Sequence, residues 1–157
     1  MANGLLKAVV IGIATGMRSF LGPALVSRKL CRRAEDKRDS GPYRFLADER
    51  IAVLMNICLA GELIADKTPW IMDRTDAMPL AFRAVSGAVS GAAICQAEHE
   101  DARIGALAGG IAALASAHAC FQIRRSITKD VGCPDAVIAV IEDAVALAAG
   151  HYAVSEI

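Results

Sequence analysis

Apolar positions in this chain come in long blocks, and polar positions gather between the blocks rather than alternating with them. The blocks use Ala, Gly and Leu far more than β-branched or aromatic residues, which favours helix over strand. Five helical segments follow, at about 4–30, 51–66, 79–97, 104–123 and 134–154. Arg18, and Pro23 after Gly22, interrupt the first. Proline in a helix interior kinks or breaks it, so a broken or re-entrant element is expected near Arg18–Pro23. A hydrophilic connection, 31–50, follows, with a turn signal at Ser40-Gly41-Pro42. A polar loop after 66 carries Trp70, and Glu98-His99-Glu100-Asp101 makes a tight turn.

The fourth segment decides the class. Ile104 to Ile123 is 20 residues without Asp, Glu, Lys or Arg, the length of a bilayer-crossing helix. A soluble bundle needs a polar face on every helix, and this segment has only Ser116, His118 and Gln122. The third segment is similar from Ala84 to Ala97. Two helices apolar all round cannot both be enclosed by so short a chain, so an all-α membrane bundle in one domain is expected. Gly12/Gly16, Gly87/Gly91 and Gly105/Gly109 are GxxxG pairs, the spacing by which helices approach closely in lipid.

Composition sharpens this reading. Of 157 residues 55% are hydrophobic, mean hydropathy is +0.41, and 17 basic residues balance 17 acidic ones. Disorder is excluded, and no positive excess exists to neutralise nucleic-acid phosphates. Five cysteines, an odd count with no CxxC, support neither a disulfide framework nor zinc. No cofactor or metal is expected. No HExxH, GxSxG or phosphate-loop motif occurs, so nothing points to an enzyme.

Lys and Arg set the expected orientation. From Arg28 to Arg50 there are eight, and Arg103 adds one; the opposite loops hold Lys67, Arg74, Arg124, Arg125 and Lys129. With five spans, the basic loop 31–50 is cytoplasmic and the N-terminus faces outward. Arg124 and Arg125 cut against this.

Seven charged residues lie within or beside the spans: Arg18, Glu62, Asp66, Lys67, Arg83, Glu142 and Asp143. A central Arg, Lys or Asp costs roughly 2.5–3.5 kcal/mol on insertion scales, so these charges must pair or face water. Glu62 and Asp66 share a helix face, with Arg18 and Arg83 as candidate partners. Glu142 and Asp143 point about 100° apart, so one of them faces the centre. Two meanings are open. The set can be a brace of buried ion pairs, or a polar site for an ion, proton or anionic solute. In the second case Arg18, Glu62, Asp66, Arg83 and Glu142 line it, and Thr15 and Ser19 add hydroxyls.

The first two segments and the last two share a plan: a small-residue helix ending in basic residues, then a helix with an internal carboxylate. One span between the pairs would make them an inverted repeat.

Thr15-Gly16-Met17-Arg18-Ser19-Phe20, with Pro23-Ala24, Gly61-Glu62-x-x-Ala65-Asp66-Lys67 and Arg83-Ala84-x-Ser86-Gly87-Ala88, resembles a bacterial family of small integral membrane proteins known as a domain of unknown function. Glu142-Asp143-Ala144 fits its pattern. The resemblance implies a multi-pass protein of the bacterial inner membrane and no established activity. The expected function is a small transporter or channel, working as a homodimer or within a larger complex in the lipid bilayer. The alternative is an assembly or scaffold protein acting through its GxxxG faces and basic loop. An enzyme acting on lipid ranks third.

Overall fold

The computed structural model describes residues 3–32, 41–65, 77–130, 135–155 and 157. They form helices α1 (Asn3–Met17), α2 (Leu21–Arg32), α3 (Pro42–Leu46), α4 (Glu49–Ala65), α5 (Ala77–Ala97), α6 (Ala102–Asp130) and α7 (Asp135–Ser155), and no strand occurs among them. The all-α expectation holds, but the helices number seven among the described residues, not five. One addition is the short α3, which starts at Pro42 after Gly41 in the left-handed region at φ 86°. The other comes from the first segment, which is two helices.

The break is a reversal. The Arg18 N–H still closes α1 on Ala14 O, whereas the Leu21 N–H donates to Arg18 O and the Ala24 N–H to Phe20 O. A Cβ on Gly150 of α7 would lie 2.6 Å from Leu25 Cδ1 and 3.7 Å from both Ala14 Cβ and Leu21 Cδ2. A straight helix would hold Ala14 and Leu25 about 16 Å apart. So α2 folds back along α1 as a hairpin. Pro23 sits in the first turn of α2, where a helix needs few N–H donors, so it opens the second arm.

Glycine contacts give the directions of the long helices. Cβ atoms on Gly12 and Gly16 of α1 would strike Gly109 O and Ala113 O of α6, so these helices run parallel. Gly91 faces Gly105, and Gly87 faces Gly109, so α5 and α6 run antiparallel. Ser116 Oγ donates to Ile13 O at 2.8 Å across the α1–α6 contact. In lipid there is no hydrophobic drive between helices, so such close packing and cross-helix bonding hold them together.

Several contacts gather at one end of the bundle. Buried Lys7 pairs with Glu98 at 3.0 Å, Tyr43 N–H donates to Gln96 Oε1 at 3.3 Å, and Lys29 Nζ donates to Ser155 O at 3.1 Å. The start of α1, the end of α2, α3, the 98–101 turn and the end of α7 therefore share that end. The expected opposition of N-terminus and basic loop is overturned, because the hairpin adds one reversal. The same reversal removes the inverted repeat: α1 and α6, its proposed counterparts, run the same way.

Among the described residues three helices are long and apolar enough to cross a membrane: Met78–Ala97, Ala102–Thr128 and Val137–Ser155. The chain is a membrane protein on this ground. Large apolar side chains point outward from them and from α4, among them Leu107 at 68% exposure and Ile64 at 70%. Such faces would be a liability in water and suit lipid. The arms α1 and α2, at 15 and 12 residues, reach about 22 and 18 Å. Each falls short of a bilayer core of about 30 Å.

Candidate functional site

The hairpin tip, Arg18-Ser19-Phe20, is where chemistry collects. Breaking a helix leaves backbone N–H groups without carbonyl partners, and inside lipid each would cost several kcal/mol, roughly, if left bare. Glu62 near the end of α4 meets two of them. Its Oε1 accepts from Ser19 N–H at 2.8 Å and its Oε2 from Phe20 N–H at 3.0 Å. A carboxylate at the start of α2 also opposes the positive end of the helix dipole. Phe20 is fixed further by Phe82 of α5, with ring centroids 4.9 Å apart.

Around this tip the charges pair across helices. Arg18, 4% exposed, donates from Nε to Asp143 Oδ1 of α7 at 2.5 Å. Arg83 of α5, also buried, donates from Nε to Ser19 Oγ at 3.3 Å. Arg124 of α6 pairs with Glu142 of α7 at 3.5 Å. The result is a linked set with three arginines and three carboxylates, formally neutral. Arg83 lies six residues into α5 and Asp143 eight into α7, which places the set about 9–12 Å inside those helix ends. A small cavity of about 20 Å³ adjoins it, lined by Gly16, Arg83, Cys120, Arg124 and Glu142 among others. That is room for about one water.

Of the residues singled out in the sequence, Arg18, Ser19, Glu62, Arg83 and Glu142 meet here, and Asp143 joins them. Three expectations change. Glu62 binds backbone rather than an arginine bridge, because the reversal exposes two N–H groups beside it. Both Glu142 and Asp143 face partners, since Arg124 and Arg18 approach α7 from different helices. Thr15 is not part of the set: its Oγ1 donates to Ile11 O at 2.7 Å, and it packs against Gly22, as does buried Ser90 Oγ. Asp66, Lys67 and Trp70 lie outside the described residues.

Arg124 was missed as a site residue because it closes an uncharged run and reads as a span-ending residue. Its position relative to Ala113, Ala117 and Cys120, at steps of three and four, continues the α6 face that packs inward, and that stripe was the available signal.

Glu62→Gln is expected to destabilise the tip by about 1–3 kcal/mol, because an amide offers one acceptor where two N–H groups need one each. Hydrogen exchange at the Ser19 and Phe20 amides measures it. Faster exchange at both, with the α5–α6 amides unchanged, is the expected outcome.

No curated protein and no solved structure matches the chain. A family model described as a domain of unknown function (DUF4126) matches residues 5–155. With nearly the whole length covered, including the hairpin and all six charged positions, the chain belongs to that family.

Proposed function

We propose that this protein is a small membrane transporter or channel that passes a proton or small ion at the hairpin tip. The single observation that carries the reading is a charge-balanced set of arginines and carboxylates inside lipid-facing helices, next to a broken backbone and a one-water cavity. Ionisable groups within membrane segments are expensive and typically mark ion or proton pathways. Irregular backbone at membrane depth is tolerated where it is enclosed by protein or lines a cavity. The cavity's size favours a proton or a small ion over a bulky anionic solute. Glu142, which lines it and pairs with Arg124, is the group that would take and release the proton. Glu62, Arg18 and Arg83 keep the tip in place. The reading assigns passage and no covalent chemistry. It places the basic end, 31–50, on the cytoplasmic side and the working unit as a homodimer in the bacterial inner membrane.

The pairing itself favours a second reading, a structural or assembly protein whose charges serve as a brace. Its partner face would not be the GxxxG positions, since Gly87, Gly91, Gly105 and Gly109 are filled by each other within this chain.

Proteoliposomes carrying an internal pH dye separate the two. Under an imposed membrane potential, the transport reading expects proton flux above that of protein-free vesicles, abolished by Arg124→Ala. Flux equal to empty vesicles, from protein shown to be folded and inserted, leaves the brace.

A further inference from the structure

The other end of the hairpin carries a polar feature that the tip does not use. Arg28, Lys29 and Arg32 occupy the last turns of α2. A groove of about 510 Å³ runs between this stretch and α4, lined by Arg28 and Arg32 on one side and by Ala52, Ile57 and Ala60 on the other, with Glu49 also at its wall. A second groove of about 290 Å³ flanks the opposite side of α2 beside His151 and shares Arg28 and Arg32. Among the described residues no ion pair engages either arginine.

The depth of the feature follows from its neighbours. Lys29 Nζ bonds Ser155 O, and Ser155 ends the membrane-capable stretch Val137–Ser155. The basic turn therefore lies at the level where hydrocarbon gives way to headgroups. From Ala52 to Ala60, α4 descends about 12 Å from that level towards the hairpin tip. The groove is thus cationic at the headgroup level and apolar below, with two arginines, Arg28 and Arg32, against the single lining carboxylate of Glu49.

We propose that this groove is a binding site for one anionic phospholipid. The phosphate sits between Arg28 and Arg32, where guanidinium forks suit phosphate geometry, and an acyl chain lies along Ala52, Ile57 and Ala60. Charge complementarity selects the headgroup, and the apolar floor selects a lipid over a free anion. The seated lipid would hold α4 against α2, and so Glu62 against the tip. The site itself does not depend on the transport reading.

Native mass spectrometry of the full chain in neutral detergent tests this, with phosphatidylglycerol and phosphatidylcholine of equal chain length as probes. The protein is expected to retain phosphatidylglycerol in preference to phosphatidylcholine. Arg28→Gln/Arg32→Gln weakens retention about 25-fold, at roughly fivefold per arginine near a lipid phosphate. Arg103→Gln, an exposed arginine on α6, leaves it unchanged. Ala60→Trp, at an exposed position in the groove, lowers retention by filling the acyl path. Equal retention of the two lipids overturns the proposal. So does equal loss in Arg103→Gln, or no loss in Ala60→Trp. Competition by inorganic phosphate as effective as by the lipid would assign the site to a free anion and overturn it likewise.

Discussion

Gly109→Leu is expected to abolish the folded state, a loss of at least about 4 kcal/mol. Gly109 stands where three helices meet. A Cβ there would overlap Gly87 O, lie 3.1 Å from Gly87 C and 3.2 Å from Gly91 Cα; from α1, a Cβ on Gly12 would fall 2.9 Å from Gly109 Cα. The obstacles are backbone atoms, which cannot rotate aside as a side chain can. The helices would have to separate, and in lipid no hydrophobic force re-forms the contact elsewhere. Gly61→Leu is the matched control, since nothing lies within 4 Å of a Cβ at that position. There the change should stay within about 0.5 kcal/mol. Thermal melts in detergent, read by monodispersity on size exclusion, check both. A folded Gly109→Leu protein with an unchanged melting temperature would contradict the packing described for α1, α5 and α6.

Arg18→Ala is expected to cost about 3–5 kcal/mol, because it leaves Asp143 partly buried with its cation gone. The penalty is that of an uncompensated charge more than of a lost attraction. Removing both charges with similar volume, Arg18→Met/Asp143→Leu, should therefore recover at least half of the loss. Arg18 and Asp143 lie 125 positions apart, so the cycle also tests the antiparallel placement of α7 on α1. If the double variant is as unstable as the sum of the singles, the two residues do not meet.

Much of this architecture was legible in the sequence, and the largest failures share one cause. The uncharged run of α6 and the Ala/Gly composition are local signals, and they gave the class and the long helices. The interruption at Arg18–Pro23 was also legible as a break. Its angle was not. A kink and a full reversal leave the same local sequence, and the choice depends on whether a distant group can satisfy the freed N–H donors. Glu62 does so from 42 and 43 positions away. Missing that one reversal put the N-terminus and the basic loop at opposite ends and created the apparent inverted repeat. The site was partly legible for a similar reason. A charge inside an apolar run declares itself, as Arg18, Glu62, Arg83 and Glu142 do. Arg124 sits beside Arg125 at the end of such a run, and only the stripe of small residues leading up to it separates the inward arginine from the exposed one.

The central claim is that the tip charges serve passage and not only cohesion. Glu142→Gln tests it most directly, with proton flux in proteoliposomes and melting temperature measured on the same preparation. Glutamine keeps the shape and a hydrogen-bond acceptor for Arg124 but cannot ionise as a carboxylate. The account predicts at least a tenfold fall in flux from protein that still folds, its stability lowered by about 1–3 kcal/mol because Arg124 keeps an acceptor but loses its charged partner. Flux at the original rate alongside a large fall in melting temperature would contradict it and make the cluster a brace.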